Sequence, residues 1–199
     1  MSKRVKMVFL GNSSTGKTSI VHRLLHNGFI SDGESTIGAS FATLKLNDIT
    51  YEIWDTAGQE RYNSLVPMYT RNAEIIIFVF DLTNLDTINR FDSYIKDLRN
   101  NLDDKFKVII VGNKMDLFWG DLDTVQDIIN KKIEKYNHLS NRITYIDTSA
   151  KSGKNIDVLK ERINIFGKQI QEKFLSENKN IVRTYKDEQI KPIAPQCDC

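Results

Sequence analysis

The sequence predicts an α/β fold in which helices cover both faces of a mostly parallel sheet. Three short apolar runs, at residues 5–10, 75–80 and 108–111, are rich in β-branched side chains and are each followed by glycine or aspartate. Such runs are typical of buried parallel strands. Segments with helical periodicity lie between them, and this alternation indicates an open sheet with helices on both faces.

An antiparallel hairpin is predicted at one edge of the sheet. Residues 41–46 and 49–54, FATLKL and ITYEIW, partly alternate apolar and polar side chains. Only Asn47 and Asp48 separate the two runs, and two such residues are typical of a tight turn between paired strands.

Helical periodicity is found between and after the strands, at residues 18–26, 65–70, 87–101, 124–136 and 156–174. The last of these segments carries its apolar side chains near a 3.6-residue period, at Ile156, Leu159, Ile163, Phe166 and Ile170. Beyond it the glycines end, polar residues dominate and Pro192 and Pro195 occur. We therefore predict one domain at residues 1–174 and a flexible tail at residues 175–199.

Composition argues against several classes of protein. A net charge of +2 does not favour nucleic-acid binding, and the three histidines show no metal-ligand spacing. The strongest apolar run has six residues, whereas a membrane span needs about 20. The start of the chain is too weakly apolar for a signal peptide. The only cysteines, Cys197 and Cys199, are too close for a structural disulfide, so we expect a reduced, cytosolic protein.

A glycine-bounded loop, GNSSTGKT, joins the first strand to the first helix at residues 11–18. Its backbone N–H groups and the helix N-terminus can face phosphates, Lys17 can neutralise phosphate oxygens, and the Thr18 hydroxyl can ligate magnesium. A chance glycine turn is the alternative reading. The nucleotide-binding candidates here are Ser13, Ser14, Thr15, Gly16, Lys17, Thr18 and Ser19.

Two later motifs indicate which base the loop serves. NKMD, at residues 113–116, follows a predicted strand, where open sheets bind ligands. The Asp116 carboxylate can accept from two adjacent guanine donors that adenine lacks, and Lys114 can lie along the base. In TSAK, at residues 148–151, the Ala150 N–H can donate to the guanine carbonyl. The base-site candidates are Asn113, Lys114, Asp116, Ser149, Ala150 and Lys151.

Taken together, GNSSTGKT, Thr36, WDTAGQE, NKMD and TSAK resemble the Ras superfamily of small GTPases over about residues 5–172. The stretches at residues 35–41 and 54–73 and the double-cysteine end are similar to the Rab family, most of all to its early-endosomal branch. The resemblance implies a single P-loop GTPase domain with a six-stranded sheet, one antiparallel edge strand, and Mg²⁺ as cofactor. GTP would be the substrate and GDP the product.

The resemblance also implies roles around the phosphates. Thr18 and Thr36 would ligate Mg²⁺ directly, and Asp55 would hold a magnesium-bound water. Gly58 would donate its N–H to the γ-phosphate, and Gln59 would orient the attacking water. Hydrolysis would be slow without a GTPase-activating protein.

Aromatic residues are given two further roles by the resemblance. Phe29 would stack edgewise on the guanine, or else be a loop aromatic packed into the core. Phe41, Trp54 and Tyr69, with Ile37, would form the effector surface; the alternative is that they belong to the core. Strand alternation places Trp54 on the more polar face, which favours the effector role.

Membrane anchoring is implied by the C-terminus, since Cys197 and Cys199 would carry two geranylgeranyl groups. The tail has balanced charge and no polybasic patch, and one lipid chain alone anchors only reversibly. The expected location is the cytosolic face of endosomal or other vesicular membranes, with a carrier-bound pool in the cytosol. The expected partners of this monomer are effectors, an exchange factor, an activating protein, a GDP-dissociation inhibitor and a Rab escort protein.

The sequence alone leaves two matters open, the function and the role of two aromatic residues. A nucleotide-holding scaffold without turnover and a P-loop kinase or ATPase are the alternative functions, although Asp116 disfavours the latter. Phe118 and Trp119, directly after NKMD, are large aromatics that either cap the core or form a contact patch.

Overall fold

The computed structural model describes residues 4–30, 36–58, 64–101 and 106–189. Strands and helices alternate along these residues. The strands are β1 Val5–Leu10, β2 Ala39–Leu46, β3 Ile49–Thr56, β4 Ile75–Asp81, β5 Lys107–Asn113 and β6 Ile143–Asp147. The helices are α1 Lys17–His26, α2 Val66–Thr70, α3 Phe91–Asn101, α4 Leu122–Glu134 and α5 Ile156–Gln189.

All six strands form one sheet in the order β2-β3-β1-β4-β5-β6. Only the β2–β3 pair is antiparallel, with Phe41 opposite Trp54, and every other neighbouring pair is parallel. Asn47 turns the hairpin with a φ of 52°, a left-handed conformation that asparagine tolerates. The predicted α/β class, parallel centre and antiparallel edge are therefore confirmed.

Two hydrophobic clusters lie on opposite faces of the sheet. Along β1, Met7 and Phe9 face a cluster shared with α1 and α5. Val8 and Leu10 face a second cluster shared with α2, α3 and α4. Because adjacent residues of a strand point to opposite faces, a strand that is covered on both sides is apolar throughout. The prediction of helices on both faces is confirmed.

The predicted helix at residues 87–101 is divided in the structure. A 3₁₀ helix spans Leu85–Ile88, and α3 begins only at Phe91. The Thr87 hydroxyl donates to the carbonyl oxygen of Asn84 at 2.6 Å and accepts from the backbone N–H of Asp81 at 2.9 Å. Thr87 thus anchors the end of β4, and the helix starts after this anchor.

The last helix is longer than predicted. Its buried stripe is confirmed at Ile156, Leu159, Ile163 and Phe166, but α5 continues beyond residue 174 to Gln189. Residues 175–189 thus continue α5, and the division into a domain at residues 1–174 and a flexible tail at residues 175–199 stays a prediction. The stretch at residues 175–189 has no glycine or proline, and seven of its fifteen residues are Leu, Lys, Arg, Glu or Gln, which favour helix. The predicted tail residues from 190 onward lie outside the described part of the chain.

None of the helices in the described residues combines the length and the apolar character that crossing a membrane requires.

Candidate functional site

A cavity of about 370 Å³ opens at the carboxyl ends of the parallel strands. Its wall is formed by Ser13, Ser14, Gly16, Lys17, Thr18, Ser19, Phe29, Thr36, Thr56, Gly58, Asn113, Lys114, Asp116, Leu117, Ala150 and Lys151. The structure thus brings together residues that lie far apart in the sequence. Thr15 and Ser149 are fully buried behind this wall, and Thr56 and Leu117 are members that the motifs did not predict.

The loop between β1 and α1 is closely packed against its neighbours. Gly16 has a φ of 91°, and a Cβ at this position would collide with the Asn113 side chain. A Cβ on Gly58 would likewise overlap the backbone of Asn12 and Ser13. The segment after β3 therefore lies directly on the glycine-bounded loop, and only glycine fits at either contact.

Lys17 is the buried cation of the site. Its ammonium donates to the carbonyl oxygens of Gly11 at 3.0 Å and Asn12 at 2.7 Å. Burial lowers the pKa of Lys17 to about 8, and the Asp55 carboxylate opposes that shift. A cation with costly desolvation, held inside a loop of backbone N–H groups, suits an oxyanion such as a phosphate.

Three oxygen-bearing side chains converge beside Lys17. The Thr18 hydroxyl donates to Asp55 Oδ2 at 2.6 Å and lies 2.8 Å from the Thr36 hydroxyl. Asp55 Oδ1 is buried and has no hydrogen-bond partner among the described residues. Burial raises the pKa of Asp55, and the bond from Thr18 opposes the change. Hydroxyl and carboxylate oxygens with one unused acceptor fit Mg²⁺, which prefers oxygen ligands.

Asn113 connects the glycine-bounded loop with the segment at residues 148–151. Its Nδ2 donates to the carbonyl oxygen of Thr15 at 2.9 Å. Its Oδ1 accepts from the Ala150 N–H at 3.1 Å and from the Thr148 hydroxyl at 3.4 Å. Asn113 is buried, so each of these bonds would be expensive to leave unmade.

Asp116 and Lys114 are also held by protein groups. Asp116 Oδ1 accepts from the Ser149 hydroxyl at 2.6 Å, which explains why Ser149 lies behind the wall. The ammonium of Lys114 forms an ion pair with Asp81 at 2.6 Å. Asp81 is a site residue that the motifs did not reveal. The available signal was its position at the carboxyl end of β4, next to β5.

Arg23 is a further residue near the site that the motifs did not reveal. From α1 its guanidinium donates to the carbonyl oxygens of Ala150 at 2.8 Å, Lys151 at 2.5 Å and Asn27 at 2.8 Å. It thereby joins the end of α1 to the segment at residues 148–151. The sequence gives no signal for this contact, because an arginine in the last turn of a helix is common.

The predicted effector residues include an aromatic cluster formed by Phe41, Trp54 and Tyr69. The Trp54 ring lies 5.5 Å from Phe41 and 6.0 Å from Tyr69 between centroids, and the Lys6 ammonium lies 4.9 Å from the Trp54 ring centroid. Phe41 is exposed, Trp54 is half-buried and Tyr69 is buried. The cluster therefore runs from the surface into the core, and its effector role stays a prediction; Ile37, 83% exposed, lies outside the core.

Other predicted residues fall into three groups. Phe29 is 39% exposed in the cavity wall, so it is not a core residue. Phe118 packs against the core, whereas Trp119 is 94% exposed, so the two aromatics after NKMD take different roles. Gln59, Cys197 and Cys199 lie outside the described residues.

Residues 6–170 match the model of the Ras family. The match includes the cavity wall, the Thr18–Thr36–Asp55 group and the aromatic cluster. Ras-family proteins bind GTP and GDP together with Mg²⁺, and as a family they hydrolyse GTP. The matched range covers most of the chain, and the chain belongs to the Ras family of small GTPases.

Proposed function

We propose that this chain is a Rab-type GTPase, a GTP/GDP-cycling switch that hydrolyses GTP and recruits effectors in vesicular or endosomal traffic. The main observation that supports a switch is the 2.8 Å distance between the Thr36 and Thr18 hydroxyl oxygens, beside Lys17. It connects the segment leading into β2 with the phosphate side of the cavity. Since β2 carries Phe41, the same segment leads to the proposed effector surface.

Each group of the cavity has a task in this proposal. Lys17 and the backbone N–H groups of residues 13–18 bind the β- and γ-phosphates. The Asp116 carboxylate accepts hydrogen bonds from the ring N–H and the exocyclic amine of guanine, while Phe29 covers the base. Bound Mg²⁺ would be held by Thr18, Thr36 and, through water, Asp55, and would neutralise phosphate charge.

The switch operates through a short chain of contacts. Thr36 and the Gly58 N–H are proposed to respond to the γ-phosphate. Their segments are also connected to each other, because the Ala57 N–H donates to the carbonyl oxygen of Gly38 at 2.7 Å. Loss of the γ-phosphate would release both ends of this pair together.

Hydrolysis is assigned to a water oriented by Gln59, with an activating protein supplying charge for the transition state. Single-turnover release of phosphate from GTP, with Mg²⁺, tests this assignment. We expect slow release from the parent protein and release at least about tenfold slower from Gln59→Leu. Absence of release from the parent, even with activating protein, would favour the nucleotide-holding scaffold instead.

Base selectivity separates this proposal from an ATPase. The parent protein should bind GDP at least about a hundredfold more tightly than ADP, because adenine presents no paired donors to Asp116. Equilibrium titration with fluorescent analogues of both nucleotides measures the ratio. Equal affinity would contradict the guanine assignment.

Membrane attachment is proposed through lipid groups on Cys197 and Cys199. No polybasic segment assists, and since one lipid chain gives only marginal anchoring, two are needed. In cells, the Cys197→Ser/Cys199→Ser double variant should be cytosolic and still bind GDP, and each single variant should be partly released. Membrane association of the double variant at the parental level would contradict this part of the proposal. Extraction of the lipidated parent would require a lipid-covering carrier such as a GDP-dissociation inhibitor.

A further inference from the structure

The guanidinium of Arg23 makes contacts that the proposed function does not use. It donates to two consecutive carbonyl oxygens in the segment at residues 148–151, Ala150 at 2.8 Å and Lys151 at 2.5 Å. A third bond, to the carbonyl oxygen of Asn27 at 2.8 Å, fixes it to the end of α1. A planar fork of N–H donors can satisfy several acceptors at once, which a lysine ammonium cannot do with the same geometry.

These contacts constrain the peptide groups that face the cavity. The described chain has no cis peptide bonds, so the C=O and N–H of each peptide point in opposite directions. With the Ala150 carbonyl directed at Arg23, the N–H of the following residue, Lys151, points away from α1. Ala150 and Lys151 both line the cavity. Arg23 therefore controls which way a backbone donor of this wall is turned.

Other groups of the segment at residues 148–151 are held by contacts that do not involve Arg23. Ser149 accepts from the Gly153 N–H at 2.9 Å, donates its own N–H to Lys154 at 3.1 Å, and bonds Asp116 through its hydroxyl. The Ala150 N–H is held by Asn113 Oδ1. Among the described residues, Arg23 is the only donor to the carbonyl oxygens of Ala150 and Lys151.

We propose that Arg23 is a positioning residue for recognition of the purine 6-oxygen. This role rests on the proposed binding of guanine: Arg23 orients the segment at residues 148–151 toward the 6-oxygen of the base. Asp116 recognises the donors at positions 1 and 2 of guanine. The Lys151 N–H faces the 6-oxygen, and Arg23 keeps it in place from behind by binding the Ala150 carbonyl oxygen of the same peptide group.

The test compares two nucleotides that differ at this oxygen. GDP carries it, whereas 2-aminopurine riboside diphosphate keeps the 2-amino group but lacks the 6-oxygen and the N–H at position 1. Arg23→Lys preserves the positive charge and removes the fork. Release of GDP should become about tenfold faster, corresponding to about 1.4 kcal/mol, and release of the 2-aminopurine nucleotide should change less than about twofold.

A general loosening of the site would accelerate release of both nucleotides equally, and that result, or unchanged release of GDP, would overturn the inference. Arg71→Lys, at an exposed position after α2, is the matched control and should leave both rates unchanged. If Arg23→Lys does not fold, Arg23→Gln allows the same comparison. A parent protein without preference for GDP over the 2-aminopurine nucleotide would instead contradict the proposed guanine site itself.

Discussion

Two sides of the nucleotide cavity are held together in different ways. The base side, residues 113–116 and 148–151, is joined by protein groups: Asn113 bonds both neighbouring segments, and Asp116 bonds Ser149. On the switch side, residues 36–41 and 56–58, Thr36 meets Thr18 and is followed by Ile37, which is 83% exposed. The base side is thus preformed by its own contacts, whereas the switch side is proposed to depend on what occupies the cavity.

The largest expected effect comes from removing the Asn113 side chain, which connects the base side to the glycine-bounded loop. Asn113→Ala leaves the Thr15 carbonyl and the Ala150 N–H without partners, and each loss costs about 1–3 kcal/mol. The Kd for GDP should rise about a hundredfold or more, as measured by fluorescence titration. Asn130→Ala, which removes an exposed amide on α4, should leave the Kd unchanged. A rise of less than threefold for Asn113→Ala would contradict a base side held by Asn113.

A change of base preference is expected from Asp116→Asn. The Oδ1 atom that accepts from Ser149 is kept, but the second oxygen becomes an NH₂ group that repels the guanine donors and can bond a 2-oxo group. GDP affinity should fall about 30-fold, and xanthosine diphosphate should become the preferred ligand. Competition titration measures both. Retained preference for GDP would show that Asp116 does not recognise the base.

Thr36→Ala tests the switch side alone. Because the Thr36 hydroxyl is assigned to the GTP-bound arrangement, affinity for a non-hydrolysable GTP analogue with Mg²⁺ should fall about tenfold. GDP affinity should change less than about twofold. Thr43→Ala, at an exposed position on β2, is the control for both ligands. Equal losses for the two nucleotides would remove the distinction between the sides.

The smallest effect is a pH dependence of binding. The pKa of Lys17 is lowered to about 8 by burial, and bound phosphates would raise it again. Binding therefore takes up a proton once Lys17 has begun to deprotonate, and affinity falls as pH rises. Between pH 7 and 8.5 the GDP affinity should fall about fourfold. Calorimetry in buffers of different ionisation enthalpy detects the uptake; its absence at pH 8.5 would contradict the shifted pKa.

Motif spacing predicted most of the cavity wall, because motif residues at strand ends meet at one edge of a parallel sheet. Arg23 and Asp81 could not be found in this way. Arg23 contacts backbone carbonyls 127 and 128 positions away, and any residue type presents a carbonyl. Asp81 pairs with Lys114 because β4 lies beside β5. Such contacts depend on packing, which periodicity does not specify.

The same limit explains the differences in the elements. The helix predicted at 87–101 begins only at Phe91. Thr87 lies in a separate 3₁₀ helix, where its hydroxyl accepts from the backbone N–H of Asp81 at the end of β4. α5 extends to Gln189 because polarity alone does not end a helix when glycine and proline are absent. Sequence patterns therefore located the elements, but they missed the Thr87 hydrogen bonds that precede α3 and the length of α5.

Amide hydrogen exchange in the GDP-bound and GTP-analogue-bound states, both with Mg²⁺, tests the difference between the two sides most directly. Exchange at residues 113–116 and 148–151 should be the same in both states, because protein groups hold this side. Exchange at residues 36–41 and 56–58 should slow clearly with the GTP analogue. Equal protection of the switch side in both states, or a comparable change on the base side, would contradict the account.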